Sequence, residues 1–503
     1  MASAPRLAAI VVAAIATLYA VMLVHASGQT ALAVALLVVG ALALWTYTSK
    51  RSGALRYLLP GVAAALLFLV FPMLYTVGIS FTNQSSSNLL EFERARAQLV
   101  EESVVVPGSQ RGFGVHRQGA QFVVALRASA DEAWATPPLR LQGDKAQAAL
   151  VVAAAAAPSA LPAALPMREI VALLPALRGL RLRAPDGSHY TLTGLREFAQ
   201  LQSLYEAQAD GALKDRVTGK AYRADMSEGF FTSADGDRLQ PGFRVNVGLR
   251  HYAKVFSDGK FREPFVSVFV WTVVFAALSV VGAAGLGLLL ASLLGWDRLR
   301  GRKLYRIVLF LPYAVPGFIS ILVFKGLFNQ NFGEINAILD ALFGVRPAWF
   351  ADPLLAKTMI LIVNTWLGYP YIMILCAGLI KAIPADLYEA SAIAGAKPLT
   401  NFFKITMPLI ARPLTPLLIS AFAFNFNNFV LISLLTDGRP DYLNTKLPAG
   451  TTDILVSYTY RIAFTDSGQN FGLAAAINTL VFIMVALMAL VQLKFTRRQE
   501  ARR

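Results

Sequence analysis

Eight apolar stretches, near residues 7–24, 31–48, 57–80, 264–294, 304–327, 355–380, 413–435 and 471–493, constrain this chain more than any other feature. Crossing a bilayer takes roughly 20 mostly apolar residues. Inside hydrocarbon every backbone N–H and C=O must find its partner within the protein. Each stretch is therefore expected to be a helix. The third carries Leu67-Phe-Leu-Val-Phe-Pro-Met-Leu74, apolar on all sides, as a lipid-facing helix would be. Hydrophobic residues make up 56% of the chain and charged residues 15%, and the mean hydropathy is +0.54. These values belong to integral membrane proteins rather than soluble enzymes. The predicted fold class is an all-α polytopic membrane protein with about eight transmembrane helices and a large extracytoplasmic α/β or β-rich insert.

Basic residues set the orientation. Lys50, Arg51 and Arg56 lie between stretches two and three, and Arg298, Arg300, Arg302, Lys303 and Arg306 between four and five. Lys381, Lys397, Lys404 and Arg412 lie between six and seven, and Arg497, Arg498, Arg502 and Arg503 end the chain. All four groups fall on one side if both termini are cytoplasmic. This distribution accounts for much of the net charge of +16, so no nucleic acid partner is expected. Val24-His25-Ala26 could be a signal-peptide cleavage site, but a second apolar stretch follows within a few residues. An uncleaved hairpin is the preferred reading. Cys376 is the single cysteine, which excludes an intrachain disulfide or a cysteine-based metal site. Neither metal nor cofactor is expected.

The predicted domains are three N-terminal spans over 1–82, an insert over 83–262, and a membrane core over 263–503. The insert is too polar to cross and long enough for a separate domain. Gln121-Phe-Val-Val-Ala-Leu-Arg127 and Gly187-Ser-His-Tyr-Thr-Leu-Thr193 read as strands. Residues 195–215 read as helix, and the Ala/Pro-rich 144–166 is ambiguous between helix and linker. His116, His189 and His251 are scattered, so no catalytic constellation emerges. The insert is expected to dock a soluble partner, with a structural cap as the alternative.

Polar side chains at membrane depth are costly unless satisfied, which makes them functional candidates. Within Asn364-Thr-Trp-Leu-Gly-Tyr-Pro-Tyr371, residues Asn364, Leu367, Gly368 and Tyr371 recur at helical spacing. Within Ser420-Ala-Phe-Ala-Phe-Asn-Phe-Asn-Asn428, residues Ala421, Phe424, Asn425 and Asn428 do the same. Each face offers an aromatic ring, an amide and a small residue. Rings cover the C–H face of a pyranose, amides exchange hydrogen bonds with vicinal hydroxyls, and a neutral ligand needs no ion. The competing reading makes these asparagines interhelical glue.

Between stretches six and seven, 384–409 reads as a helix–turn–helix of small residues. Pro384 suits a first turn, Asp386 and Glu389 favour the positive end of the helix, and Gly395 suits a stop. Pro398 can open a second helix, and Pro408 ends it or bends the chain. Small residues let such a knob seat closely in a partner's cleft, with one carboxylate for a charged contact.

The Glu389-to-Gly395 spacing, followed by Ile405 and Pro408, resembles the EAA loop of ABC importer permeases. From about Trp296 onward the chain resembles the larger permease subunit of bacterial maltose/maltodextrin ABC importers, within the binding-protein-dependent transport permease family. Further matching stretches are Asn364 to Pro384, Asn401-Phe-Phe-Lys-Ile-Thr406, Phe422-Ala-Phe-Asn-Phe-Asn-Asn-Phe429, Thr459-Tyr-Arg-Ile-Ala-Phe464 and Phe471-Gly-Leu-Ala-Ala-Ala-Ile477. The resemblance implies a type I importer permease in a bacterial inner membrane, moving maltose or maltodextrin. Its implied partners are a second permease subunit, two copies of an ATP-binding subunit and a periplasmic sugar-binding protein. The implied sugar contacts are Asn364, Leu367, Gly368, Tyr371, Phe424 and Asn425, with Ala421 where the family has a serine. Glu389, Ala390, Ser391 and Gly395 are the implied ATPase-coupling residues. The chain is expected to be no enzyme itself, since it lacks a Gly-x-x-x-x-Gly-Lys-Ser/Thr loop.

Three alternatives compete with this reading. Another oligosaccharide or a polyol would fit the same class of importer. An ion-coupled secondary transporter would bury an acidic or arginine residue within a span, and the acidic residues fall only at span ends or in loops. A membrane-embedded enzyme would need a nucleophile, metal site or acid–base pair at membrane depth.

Overall fold

The computed structural model describes residues 4–49, 53–129, 132–141, 149–156, 161–296, 299–443, 445, 448–465 and 468–500. Lys50, Arg51, Arg298, Arg502 and Arg503 lie outside the described residues, as do 144–148 and 157–160. Contacts divide the chain into a unit formed by 1–86 with 246–503 and a second formed by 87–245.

The first unit is helical. It opens with α1 (Ala4–Ala26), α2 (Thr30–Thr48) and α3 (Leu55–Ile79), followed after the insert by α4 (Arg250–Ser257) and α5 (Gly259–Leu294). Next come α6 (Arg302–Ala314), α7 (Gly317–Leu327), α8 (Glu334–Phe343), α9 (Pro353–Lys381) and α10 (Ala385–Ile393). The unit closes with α11 (Pro398–Phe426), α12 (Phe429–Leu435), α13 (Leu455–Tyr460) and α14 (Phe471–Glu500). Among the described residues, 6 helices are long and apolar enough to cross a membrane, or up to 7 if α6 and α7 form one span. The short apolar run Ile10–Ala26 in α1 is additional.

Two of the expected spans are not single straight helices. The fifth bends by 92° between α6 and α7. Val315 precedes a proline and is extended (φ −91, ψ 131), and Pro316 then caps α7; a residue before proline is driven out of helical geometry. The seventh starts earlier than expected, at Pro398, and breaks at Asn427. There the Asn428 side chain accepts from Leu431 N and caps α12. Asparagine next to a chain end offers the backbone this local alternative to helix. Pro408 neither ends α11 nor breaks it. A wider turn over Phe402–Thr406, with Met407 N bonded to Phe402 O, precedes Pro408 and lets the helix run through.

Helices α5 and α9 form the spine of this unit. A Cβ at Gly282 would lie 2.6 Å from Thr365 Oγ1, and one at Gly287 2.9 Å from Met373 N. Small residues permit backbones to approach this closely, the usual way helices associate where lipid removes the hydrophobic drive. Around the spine, Trp271, Phe275, Phe328, Trp349, Met359 and Ile432 form a buried core. Before α5, the buried His251 has Nε2 2.8 Å from the Thr82 carbonyl, so that nitrogen carries the proton. Burial lowers its pKa from the ordinary value.

The second unit is β-rich. An eight-stranded sheet is built around the antiparallel hairpin Arg111–Gln118 and Gln121–Arg127, with Val115 opposite Val124. The helix Met167–Leu177 packs Ile170 and Leu177 into its core with Leu182, Tyr190 and Phe198. A four-stranded sheet holds a second core of Leu213, Phe231 and Phe243. The predicted strands at 121–127 and 187–193 are present as Gln121–Arg127 and His189–Leu192. The helix expected over 195–215 is absent: Glu197–Ala199, Leu201–Ser203, Tyr205–Ala207 and Leu213–Asp215 are strands. Each is only three residues long, too short for a period to separate strand from helix, and cross-strand pairing decides. Ala149–Val152 and Ala154–Ala156 in the Ala/Pro-rich stretch are strands as well, because sheet pairing overrides alanine's helical propensity.

Candidate functional site

The two polar faces meet. Asn364, in the middle of α9, is buried at 7% exposure, and its Nδ2 donates to Asn425 Oδ1 on α11 at 2.7 Å. Asn425 Nδ2 donates to the Ala421 carbonyl at 2.8 Å. Asn428 Nδ2 donates to Asn364 Oδ1 at 3.3 Å. Asn428 does not share a continuous helical face with the others, since α11 has ended; the break between α11 and α12 brings it to Asn364. The asparagines therefore join the helices directly, as the glue reading requires, and in doing so place their amides at one point.

The remaining predicted contacts divide by exposure. Phe424 is 71% exposed and Tyr371 45%, leaving both rings available. Leu367 packs against the core that contains Trp271 and Phe275. Gly368 faces α5, where a Cβ on it would lie 3.2 Å from Ala283 Cβ. Leu367 and Gly368 thus sit at the packed side of α9, Asn364 is buried between the helices, and the exposed part of the site is made of the Phe424 and Tyr371 rings with the half-buried Asn425. Such a surface stacks on a flat C–H face and offers both donors and acceptors to neutral hydroxyls.

The predicted coupling residues lie on a separate helix pair. Helix α10 starts at Ala385, with Pro384 as its cap rather than inside its first turn. Gly395 ends it at φ +72, a left-handed conformation that side chains with a Cβ rarely adopt, and Ala396 N closes back on Ser391 O at 3.0 Å. Two cross-bonds pin α10 to the start of α11: Tyr388 Oη with Thr406 Oγ1 at 2.8 Å, and Ser391 Oγ donating to Asn401 Oδ1. Glu389 and Ala390 are exposed. Ile393 and Leu399 stand 90% and 74% exposed on the same pair. A knob with an apolar tip and two exposed carboxylates, Asp386 and Glu389, results.

A third polar centre was not anticipated. In the segment between α12 and α13, Asp453 is fully buried and pairs with Arg461 at 2.8 Å. Its carboxylate also accepts from Ser457 Oγ at 2.7 Å and Gly450 N at 2.8 Å. The other end of the Arg461 guanidinium reaches Asp441 at 2.7 Å. Gly438, at φ +77, runs so close to Asp453 that no Cβ would fit. The signal available beforehand was the arginine inside Thr459-Tyr-Arg-Ile-Ala-Phe464, an otherwise apolar run. Its acidic partners lie 8 and 20 positions upstream, at Asp453 and Asp441, and nothing in the chain order pairs them. Among the described residues no cluster of three or more His, Cys, Asp or Glu could hold a metal.

Comparison with known proteins agrees with this layout. Residues 265–499 match the model of the binding-protein-dependent transport system inner membrane component. Residues 90–248 match that of the maltose transport system permease protein MalF P2 domain. The maltose/maltodextrin transport system permease protein MalF of Vibrio parahaemolyticus is 49% identical over 493 residues, 95% of this chain and 92% of that protein. The protein of the same name from Escherichia coli K12 is 48% identical over 487 residues, 95% of this chain and 94% of its own length. That of Yersinia pestis is 47% identical over 490 residues, covering 96% and 92%.

Proposed function

The chain belongs to the MalF family of maltose/maltodextrin transport system permeases, and from that premise we propose how this permease subunit of an ATP-driven importer handles its cargo. Maltose or a maltodextrin, released by a periplasmic sugar-binding protein, passes between α9 and α11. Phe424 and Tyr371 cover the apolar face of a sugar ring, and Asn364 and Asn425 exchange hydrogen bonds with its hydroxyls. The observation that carries this reading is the Asn364–Asn425 bond at 2.7 Å, which sets amides from two helices at membrane depth beside exposed rings.

ATP is hydrolysed elsewhere, by two copies of an ATP-binding subunit, and a second permease subunit completes the path. The knob of α10 and the start of α11 seats in the ATPase, with Glu389 as its charged contact and Ala390, Ser391 and Gly395 shaping its close fit. The two cross-bonds from α10 to α11 make movement at the knob movement of the helix that carries Phe424 and Asn425. Both termini and the knob are cytoplasmic, and the insert meets the sugar-binding protein outside the inner membrane. The positive-inside placement of Arg56, Lys381, Lys397, Lys404 and Arg412 supports this orientation.

The test is reconstitution of the chain with its neighbouring permease, ATPase and binding protein in liposomes, measuring ATP turnover and sugar uptake. Maltose-loaded binding protein should raise both. Glu389→Lys should insert normally yet lose most uptake, with ATP turnover no longer responsive to sugar. Normal maltose uptake by that variant would refute the role of the knob.

A further inference from the structure

We propose that Phe429, Tyr460, Phe464 and Phe471 form a ring-lined track that receives the later glucosyl units of a maltodextrin longer than maltose. The proposal deepens the reading above and rests on it. The first units lie against Phe424 and Tyr371, and the track takes the chain beyond them.

The four rings form a continuous series. Phe429 opens α12 with its ring centroid 4.9 Å from that of Tyr460, the last residue of α13. Tyr460 is 5.0 Å from Phe464, and Phe464 is 5.9 Å from Phe471 at the start of α14. Successive ring planes are inclined by 54°, 43° and 57°. One end of the series lies at the amide site, because Phe429 follows Asn428, whose Nδ2 donates to Asn364 Oδ1. The other end lies where the chain leaves for the insert. There Gly472 N donates to the Gln84 carbonyl at 2.9 Å, and Ser86 Oγ donates to the Gly468 carbonyl at 3.1 Å. The rings therefore run from membrane depth to the side on which the insert begins. In the orientation proposed above, sugar arrives from that side.

Burial separates the middle of the track from its frame. Arg461, Ile462 and Ala463 are at most 7% exposed, whereas Tyr460 and Phe464 on either side of them are 45% and 57% exposed. Positions four apart share a helix face, so the two rings stand together on the open face of this segment. Its buried face is held by Arg461, bonded to Asp453 at 2.8 Å and to Asp441 at 2.7 Å. This frame fixes the rings before a ligand arrives, which lowers the cost of binding. A contiguous run of exposed rings marks an interaction site rather than a core. Asn427 and Thr465, exposed next to the track in the chain, are polar, which suits a wet path better than contact with lipid. A glucan fits such a path: each unit has a C–H face for a ring, hydroxyls for water at its edge, and no charge to bury. An α-linked glucan also turns from unit to unit, as the inclined rings do.

The experiment uses the complete transporter in liposomes with its binding protein, measuring uptake of maltose and of maltoheptaose. Tyr460→Ala and Phe464→Ala should each lower kcat/KM for maltoheptaose about two- to tenfold, the range for loss of one ring contact, and leave that for maltose within about twofold. Tyr460→Phe keeps the ring and should keep both. The ratio between the two sugars does not depend on how much complex folds, and an unchanged ratio in both alanine variants overturns the track. A second arm reads occupancy directly. The chain has one cysteine, so Cys376→Ala carrying Thr465→Cys can be treated with a membrane-impermeant maleimide in the presence of a non-hydrolysable ATP analogue. Maltoheptaose-loaded binding protein should slow labelling several-fold relative to maltose-loaded binding protein. Equal labelling with the two sugars, or none with either, overturns the track. A wild-type complex that takes up neither sugar overturns the transport reading and the track with it. A wild type that takes up both, with the ratio unchanged in the variants, removes the track alone.

Discussion

Two polar centres in the membrane unit solve the problem of burial in opposite ways. Asn364, Asn425 and Asn428 are neutral, joined to one another by two hydrogen bonds, and tied by two more to the backbone of α11 and α12. Asp441, Asp453 and Arg461 are charged; the two acids lie on one connecting segment and the arginine directly follows the helix after it. A buried charge whose partner is removed costs several kcal/mol, whereas hydrogen bonds between membrane helices average well below that. Losing the cation should therefore cost the fold more than losing one amide bond.

The sharpest way to break this contrast is to strand the charge. Arg461→Leu should leave Asp453 buried without its cation and lower stability by about 3–5 kcal/mol, seen as a large drop in melting temperature or loss of folded protein in detergent. An effect below that of the amide variants would reverse this contrast. Next, Asn425→Ala should cost only about 1 kcal/mol in a melt while reducing sugar uptake by roughly tenfold, as expected when about 1.4 kcal/mol of cargo contact is lost. A smaller effect still is expected of Phe424→Ala. That ring is 71% exposed, so stability should stay within about 0.5 kcal/mol and the change should appear as weaker sugar stimulation of ATP turnover. The smallest effect concerns pH. Burial lowers the pKa of His251 below its ordinary value, so between the folded and unfolded values the unfolded chain binds more protons. Stability is then retained at neutral pH and falls as pH drops below about 6.5. Melting of the wild type between pH 7.5 and 5.5 should show this slope, and His251→Gln should flatten it.

The membrane architecture was legible because hydrocarbon leaves the backbone few options. Apolar length announced the spans, and basic clusters set their expected orientation. The helix pair on either side of Gly395 was legible from glycine and proline chemistry within a short window, where local rules hold. The amide faces were legible as faces, since α9 runs unbroken through Asn364 and Tyr371. What could not be read was whatever depends on partners distant in the chain. The strands between Glu197 and Asp215 exist because neighbouring strands pair with them. Asn428 was placed on a helical face that stops two residues before it. Asp453 and Arg461 needed the segment after α12 to fold back before they could meet.

By itself, then, the order of residues determined a polytopic helical protein, a polar insert, a short helix pair carrying Asp386 and Glu389, and two amide-bearing helices, because each follows from local periodicity and the dryness of the bilayer. Tertiary structure alone decided that the amides bond to one another, that α6 and α7 meet at 92°, and that one arginine is held between two carboxylates. These depend on which groups close packing brings within hydrogen-bond range, and no local rule carries that information.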